Sequence, residues 1–494
     1  MPSPAAQYRP VALQPPDTGG RLFVLYGRLL GPLLGGYLLF DRAFAYLHLP
    51  GSSLYVGELM LGLGVVATLA ATRYFLVPAR DEPVLALLTA FALWGLIRTV
   101  PGVATYQLDA LRDAALWFYC LFAYFVIAAL AKSPDLLDRL ISQLSRFVPW
   151  LLLWLPFAVV LSPLAEDAPK VPFTTVSVLS HKPGSAAIAA LLVLGCMWLL
   201  PGERSPRSRA GWSLLALAVI ALAATQNRGG LLGVLAGGAI GLALMRRRAG
   251  LVVRLVLVVT IGLGMASLLS LKVPLGGLQG RDFSASQLVA NVVSLGGEET
   301  PGNLGGTVEG RQELWTRILD KQMTDGHLVD GSGFGQNLAT EVGVYDAGKD
   351  TLRSPHNSHL HILARMGVVG LALWIGLWLA WYWRMITGCR RLAREGEHTR
   401  RQVAVLSVMV TTAVLVSCIF DPQLEGPQVA ALLWTAVGIG VAVTTIRPWF
   451  RAVPEGRRGA GDASRGDSGT AGRGGAAGRG GAAGRGGAAG RGLR

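Results

Sequence analysis

The sequence has few charged residues and few cysteines, and both shortages exclude whole classes of protein. Only 15% of the 494 residues are charged, whereas 52% are hydrophobic. No single soluble core absorbs that much apolar sequence, so a soluble enzyme and a coiled coil are excluded. The four cysteines lie in or beside apolar segments. We therefore expect neither a disulfide framework nor a cysteine-built metal site.

The segment 1–20 lacks the pattern of a cleavable signal peptide. It is polar and rich in proline, without a basic, an apolar and a small-residue region in that order. Targeting is expected to come from the first membrane span instead.

Long apolar runs are the dominant feature of the chain. About a dozen of them approach the 20 residues that a helix needs to cross a bilayer, and the mean hydropathy is +0.46. This pattern predicts an all-α integral membrane protein with about twelve transmembrane helices. The predicted spans are 22–45, 57–77, 83–100, 111–131, 146–163, 184–200, 211–226, 229–245, 251–271, 366–386, 403–420 and 427–446.

Lys and Arg concentrate in alternate connections between these spans, which indicates that both termini face the cytoplasm. The predicted organisation follows from this bias and from the apolar runs. It consists of a cytoplasmic segment 1–21, transmembrane helices 1–9 within 22–271, a large external loop domain 272–365, transmembrane helices 10–12 within 366–446, and a disordered cytoplasmic tail 447–494.

The formal net charge of +15 does not indicate a nucleic-acid partner. The basic residues sit mainly between alternate spans and in the tail, where anionic membrane lipids are the nearer partner. In the tail, arginine recurs within a Gly/Ala-rich repeat that cannot bury a core. Lipid contact, RNA contact and simple solvation all suit such a tail, and its composition favours solvation.

The segment 272–365 has no apolar run long enough to cross a membrane, so it is predicted to be an external domain containing short helices. Its first part, 275–306, is rich in glycine and serine and is expected to be mobile. A helix is predicted from Arg311 to Met323 on the periodicity of its apolar residues. The stretch from Gly331 to Asn337 follows no buried strand and predicts a tight turn rather than a phosphate-binding loop.

Two arginines stand at predicted helix starts on the outer side. Arg228 begins the eighth span, and Arg311 begins the loop helix, one turn before Trp315. A cation at the positive end of a helix dipole is unfavourable unless an anion binds beside it, so both positions favour a phosphate site. The alternatives are that Arg228 reaches the membrane interface or pairs with a carboxylate, and that Arg311 pairs with a neighbouring glutamate.

A histidine-rich segment precedes the tenth span. Ser354 is predicted as the N-cap and Pro355 as the first helical residue, which places His356 in the first turn. The helix dipole keeps an imidazole neutral there, so His356 is a candidate general base. His359 shares the same helical face and is predicted to be a second polar residue of the site, because a metal pair would need a third ligand. His361 is predicted to be structural.

Other cations on the outer side extend the candidate site. Arg98 and Arg112 lie near the outer ends of the third and fourth spans, and Asp109 is placed to neutralise Arg112. His181 and Lys182 lie in the outer loop before the sixth span. The sequence has neither a P-loop nor an Asp-x-Asp motif in an outer loop, so we expect no metal and no soluble cofactor such as ATP.

The strongest of these residues fall in four short motifs. The motifs are Thr225-Gln226-Asn227-Arg228-Gly229-Gly230, Gly310-Arg311 to Trp315, Gly331 to Gly335, and Pro355-His356-Asn357-Ser358-His359-Leu360 followed by Gly367 to Leu371. In order, spacing and membrane context they resemble the O-antigen ligase and polymerase superfamily, and the similarity spans residues 22–446.

The resemblance implies a glycosyltransferase of the bacterial inner membrane that takes a glycan from undecaprenyl diphosphate on the periplasmic face, so that the external loop domain is periplasmic. The ligase branch transfers O-antigen to lipid A-core, and the polymerase branch joins repeat units. By position, the resemblance implies that Arg228 and Arg311 hold the diphosphate and that His356 is the essential histidine. Trp315 and Asn357 are implied as supporting residues of the same motifs.

Two positions depart from the family pattern. Asn227 stands where many relatives carry serine, and Arg365 stands where polymerase-like members often carry glutamate. The missing carboxylate favours a ligase over a polymerase of the same superfamily. The implied reaction is a direct displacement, which inverts the anomeric carbon, and the arginines and helix N-termini stabilise its leaving group without a metal. The alternative of another class is a transporter or a lipid-linked glycan flippase, but the sequence lacks the internal repeat and the paired broken helices of many transporters.

Overall fold

The computed structural model describes residues 18–49, 51, 54–71, 82–133, 135–200, 205–245, 250, 272–273, 283–293, 304–343 and 353–445. These residues form the helix bundle of an all-α integral membrane protein, as the sequence predicts. The predicted ninth span, 251–271, and the predicted tail, 447–494, lie outside the described residues.

The bundle is built from helices in nearly unbroken succession. Its helices up to residue 244 are α1 (Thr18–Phe40), α2 (Arg42–Ala45), α3 (Val56–Ala70), α4 (Pro83–Tyr106), α5 (Leu108–Asp113), α6 (Ala115–Phe118), α7 (Leu121–Lys132), α8 (Leu136–Val160), α9 (Pro183–Leu199), α10 (Pro206–Gln226) and α11 (Arg228–Leu244). The later elements are β1 (Lys272–Val273), β2 (Phe283–Ser284), α12 (Ala285–Val293), α13 (Leu304–Thr324), α14 (Leu338–Glu341), α15 (Ser358–Arg394), α16 (His398–Ser417) and α17 (Pro427–Thr445). The two short strands pair antiparallel.

Within the described residues, seven helices are long and apolar enough to cross a membrane, namely α1, α4, α8, α10, α15, α16 and α17. The bent run from α5 to α7, with an angle of 52°, adds an eighth if it is a single span. The helices α3, α9 and α11 are apolar but shorter. All of these helices overlap predicted spans, while the predicted total of about twelve spans stays a prediction.

Arginines on the predicted cytoplasmic side close the ends of two helices. Arg400 donates to the carbonyl oxygen of Val443 in the last turn of α17, at 2.6 and 3.0 Å. Arg401 donates to the carbonyl oxygen of Leu244, the last residue of α11, at 2.6 Å. A cation at a helix C-terminus complements the dipole, so these arginines also stabilise the bundle.

The helix α15 is broken at Gly367, which has a φ of +66°. The break leaves backbone groups of α15 free to bond with the segment 328–333. Ser332 N donates to Ala364 O at 2.8 Å, and Val368 N donates to Leu328 O at 2.9 Å. The stretch from 331 to 337 is irregular backbone with a bend at 334–336, and it lies against the break of α15. This contact joins the predicted external domain, 272–365, to the later part of α15.

The part of the external domain that the sequence predicts as mobile contains β2 and α12. Asn291 of α12 is fully buried, and its Nδ2 donates to the carbonyl oxygens of Ala224 and Thr225, both at 2.8 Å. These carbonyls belong to the last turn of α10, where they have no partner within the helix. The helix α12 thus covers the junction between α10 and α11.

Candidate active site

Three helices begin at the same end of the bundle, and the strongest candidate residues lie there. The helix α9 begins at Pro183, α11 at Arg228 and α15 at Ser358. A Cβ atom added to Gly230 would lie 2.8 Å from the Cα atom of Gly184, so the first turns of α9 and α11 are in direct contact. Helix starts present backbone N–H groups and partial positive charge, which makes this end suited to an anion.

The start of α11 is held by Asn227, and Arg228 is its first residue, as predicted. Asn227 Oδ1 accepts a hydrogen bond from Gly230 N at 2.7 Å, and its Nδ2 donates to Asp421 Oδ2 at 2.8 Å. The Ser358 hydroxyl donates to the carbonyl oxygen of Asp421 at 3.4 Å. Asp421 therefore connects the starts of α11 and α15.

His356 lies outside the helix in which the sequence places it. The predicted N-cap Ser354 and first helical residue Pro355 are wrong, because Asn357 caps α15 and Ser358 is its first residue. The Asn357 side chain accepts the backbone N–H groups two and three residues further on, at 3.0 and 3.1 Å. His356 has a φ of +51°, a conformation that typically costs about 1 to 3 kcal/mol and persists only when neighbouring contacts enforce it.

Arg311 lies within α13, seven residues after its start at Leu304. The prediction that Arg311 opens this helix is wrong, since the two glycines after Leu304 are tolerated in the helix although each costs about 1 kcal/mol relative to alanine. Trp315 Nε1 donates to the carbonyl oxygen of Pro355 at 2.6 Å, which fixes α13 against the His356 loop. Arg311 is also close enough to Arg228 for their charges to interact.

His356 is surrounded by two cations and two carboxylates. The charged groups that act on it are Arg311, Glu425, Asp421 and Lys182. Burial is the main cause that lowers the pKa of His356 below its ordinary value, and Arg311 lowers it further, whereas the two carboxylates oppose this change. Its Nδ1 atom is buried and has no hydrogen-bond partner among the described residues. His356 is thus a neutral imidazole near pH 7 that can accept a proton.

Lys182 is therefore part of the site, because its charge acts on His356. Its neighbour His181 is not part of the site. The His181 ring is buried against α1, where Nε2 lies 3.4 Å from the carbonyl oxygen of Leu38. His359 is likewise used for packing: its Nε2 lies 3.0 Å from the carbonyl oxygen of Leu415, and Trp374 Nε1 donates to its Nδ1 at 2.9 Å. Both histidines orient helices and leave no ring nitrogen for a substrate.

The two remaining predicted cations have other partners. Arg98 pairs with Asp330 at 2.8 Å and donates to the carbonyl oxygen of Gly331 at 2.6 Å, so it fastens the turn that follows α13. Arg112 is 62% exposed, and its predicted partner Asp109 lies 4.0 Å away. Neither arginine is among the charges that act on His356.

Arg365 is fully buried and faces the protein interior. Its Nη2 pairs with Asp113 Oδ2 at 2.8 Å and donates to the carbonyl oxygen of Gln336 at 2.6 Å, and its Nη1 donates to the carbonyl oxygen of Gly333 at 3.1 Å. The departure from glutamate at this position therefore concerns an internal network. Because Arg365 contacts only other parts of the protein, the absence of a glutamate at this position no longer distinguishes a ligase from a polymerase.

The sequence interpretation missed the two carboxylates at the site, Asp421 and Glu425. They stand in the short connection between two predicted spans, on the predicted outer side, and acidic residues at such a place are a usable signal. Within the described ranges, no group of three His, Cys, Asp or Glu side chains is arranged to hold a metal ion.

Together the fold and the site define a multi-pass membrane protein with a cationic, histidine-containing site at one end of its bundle. Residues 212–375 match the family model described as O-Antigen ligase. This match supports the chain as a member of the O-antigen ligase and polymerase superfamily, with a glycosyltransferase-like activity on polysaccharide and lipid substrates in general. The matched residues include Arg228, Arg311 and His356. A search of curated proteins finds no match to the chain.

Proposed function

We propose that the protein is an O-antigen ligase that transfers O-antigen polysaccharide from undecaprenyl diphosphate to a sugar hydroxyl of lipid A-core, on the periplasmic face of the bacterial inner membrane. The observation that carries this proposal is the meeting of Arg228, Arg311 and His356 where α9, α11 and α15 begin. The description of the matched family favours the ligase.

The positive charge at this end suits the leaving group of such a transfer. When the acceptor oxygen bonds to the anomeric carbon, the bond from that carbon to the diphosphate breaks and negative charge accumulates on the diphosphate. Arg228, Arg311 and the N-terminus of α11 are placed to stabilise this charge before the reaction begins. Direct displacement inverts the configuration at the anomeric carbon. No soluble cofactor takes part in this step.

His356 is the proposed general base. A neutral imidazole can take the proton of the acceptor hydroxyl as it attacks, and such catalysis typically contributes about 10²- to 10⁴-fold. The unpartnered Nδ1 atom and the lowered pKa of His356 support this role. The bond from Trp315 to the loop and the cap at Asn357 hold the imidazole in place.

The bundle also contains an apolar cavity. A cavity of about 480 Å³ between α1, α8, α16 and α17 is lined by apolar side chains such as Phe147, Leu406 and Leu432. It reaches Leu38, whose carbonyl oxygen contacts His181 beside Lys182. The polyprenyl chain of the donor can stay in the surrounding lipid while its diphosphate enters the cationic end.

The test is transfer by the purified protein, supplied with lipid-linked glycan and lipid A-core in the presence of a chelator. We expect transfer by the wild type, a loss of at least about 10²-fold in His356→Ala, and weaker donor binding in Arg228→Ala and Arg311→Ala. Arg317→Ala is the matched control, because Arg317 lies on the same helix as Arg311 and is 49% exposed in a pair with Glu313. Wild-type rates in His356→Ala would refute the base role, and unchanged donor binding in both arginine variants would refute the diphosphate site.

A polymerase of the same superfamily shares the donor chemistry, and a deletion strain separates the two activities. Loss of a ligase leaves long polymer on undecaprenyl diphosphate, whereas loss of a polymerase leaves a core that carries a single repeat unit. Lipopolysaccharide with one repeat unit in the deletion strain would contradict the proposed ligase.

A further inference from the structure

The Glu425 carboxylate lies beside the loop that carries His356, in the connection between α16 and α17. Its Oε1 atom is 2.8 Å from His361 Nδ1, and the Ser354 hydroxyl hydrogen-bonds the same carboxylate. The Glu425 side chain is 27% exposed, whereas His361 and Ser354 are buried. Burial alone would raise the pKa of Glu425, but His361 and Ser354 together hold that pKa below its ordinary value. Glu425 is thus an anion bound to Ser354, which stands two residues before His356 in the chain.

The position of the proton on His361 follows from its second neighbour. Arg365 Nε lies 3.1 Å from His361 Nε2 and can only donate, so Nε2 must accept. Nδ1 therefore carries a proton, which it donates to Glu425. His361 connects the buried guanidinium of Arg365 to the Glu425 carboxylate.

Arg365 is itself immobilised by Asp113 at 2.8 Å and by carbonyl oxygens of the glycine-rich segment 331–337. The chain from Asp113 through Arg365 and His361 to Glu425 is continuous and mostly buried. A carboxylate held this firmly cannot swing away when the charge beside it changes.

The charges around His356 are balanced in number. Arg311 of α13 and Lys182 before α9 disfavour a positive imidazole, while Glu425 and Asp421 favour it. Asp421 already accepts from Asn227 at 2.8 Å, in a charge-assisted bond that it shares with the start of α11. Glu425, by contrast, is bonded by Ser354, which belongs to the same loop as His356.

We propose that Glu425 is a positioning residue for His356: through Ser354 it fixes the loop, and its charge stabilises the imidazolium that forms during transfer. This inference rests on the proposed role of His356 as general base. In that step the acceptor oxygen bonds to the anomeric carbon, the bond from that carbon to the diphosphate oxygen breaks, and its electron pair leaves with the diphosphate. The hydroxyl proton moves to His356, and the resulting cation lies beside the Glu425 carboxylate.

The first test measures the titration of His356 without any transfer assay. The full-length protein is prepared in detergent with ¹³C-labelled histidine, and the His356 signal is assigned by its loss in His356→Ala. Glu425→Gln keeps the size and the hydrogen-bonding oxygen of the side chain but removes its charge. We expect the pKa of His356 to fall by about one pH unit in Glu425→Gln and to stay unchanged in the control Glu341→Gln, at an outer-domain glutamate that is 42% exposed.

The second test uses the transfer reaction and its pH profile. Glu425→Gln should lower kcat by about 10-fold, the factor that corresponds to one pH unit, with little change in KM. The acid limb of the profile should move to lower pH by the same amount as the NMR titration, a change that a merely structural role would not produce. Ser354→Ala leaves all charges in place, and we expect it to lower kcat several-fold while the melting temperature stays near that of the wild type.

The outcomes separate this inference from the proposed function. An unchanged His356 pKa in Glu425→Gln overturns the inference, whether or not the protein transfers glycan. A shifted pKa in a wild-type protein that shows no transfer supports the electrostatic pairing and refutes the proposed activity instead. If Glu425→Gln does not fold, wild-type kcat in Ser354→Ala overturns the inference.

Discussion

At the scale of single residues, the site depends on one imidazole that is kept neutral by burial and kept protonatable by nearby carboxylates. Arg311 and Lys182 lower the affinity of His356 for a proton, while Glu425 and Asp421 raise it. A base that is fully desolvated next to cations alone would bind a proton too weakly to help. The acidic pair therefore matters as much as the arginines that resemble the family motifs.

The pH dependence of transfer should follow this neutral histidine. A general base works in its unprotonated form, and the pKa of His356 is lowered from the ordinary imidazole value of about 6.5. We expect kcat/KM to be constant around pH 7 and to fall only below about 6.5, with a slope of one proton. The measurement is kcat/KM from about pH 4.5 to about pH 8, at constant ionic strength so that the screening of charges does not change. A decline that begins above pH 7 would contradict the assigned state of His356.

The positions of some of these residues in the fold could be predicted from sequence, and the exceptions have physical causes. Arg228 was placed correctly because two apolar helices meet there with a single residue between them. His356 was misplaced because Ser354 and Asn357 are both good N-caps, and only the fold selects Asn357. Glu425 was missed because its partner His361 lies 64 residues earlier in the chain, so no local pattern marks the pair.

At the scale of elements, the break in α15 decides how the segment 328–333 packs against this helix. The sequence predicts the apolar runs well, because each bilayer-spanning helix is long and uniform in composition. It predicts a helix that leads from the His356 segment into the tenth span, but it does not predict the break of that helix at Gly367. A glycine in an apolar run does not indicate by itself that the backbone of another segment packs against it, as that of Val329 and Asp330 does at Gly367.

Alanine at Gly367 should destabilise this junction strongly. A φ of +66° disfavours any residue with a Cβ atom, and that atom would lie 2.1 Å from the carbonyl oxygen of Val329. We expect Gly367→Ala to lower the free energy of unfolding by more than the roughly 1 to 2 kcal/mol of the left-handed conformation alone. Gly376→Ala on the same helix is the control, since its Cβ would have its nearest neighbour, Leu87, at 3.7 Å. Thermal unfolding in one detergent compares the two, and equal melting temperatures would argue against the break.

At the scale of the whole molecule, a buried ion pair connects parts of the chain that lie far apart in sequence. Asp113, at the end of α5, pairs with Arg365 of α15 at 2.8 Å and with Arg353 at 3.4 Å, and it accepts from Gly335 N at 3.2 Å. The Asp113 side chain is 7% exposed and that of Arg365 is fully buried. Four segments of the chain are thus connected through the Asp113 carboxylate, so its removal should lower the stability of the whole bundle.

The two halves of this pair should respond differently to removal. Asp113→Asn leaves the buried guanidinium of Arg365 without its counter-charge, and breaking a buried pair in this way typically costs about 3 to 5 kcal/mol. Arg365→Met removes the buried cation and leaves Asp113 paired with Arg353, so we expect a clearly smaller loss of stability. In the double variant the penalty of Asp113→Asn should largely disappear, because no unpaired charge remains buried. Denaturation of the four proteins in the same detergent gives the coupling energy, and purely additive losses would show that Asp113 and Arg365 do not depend on each other.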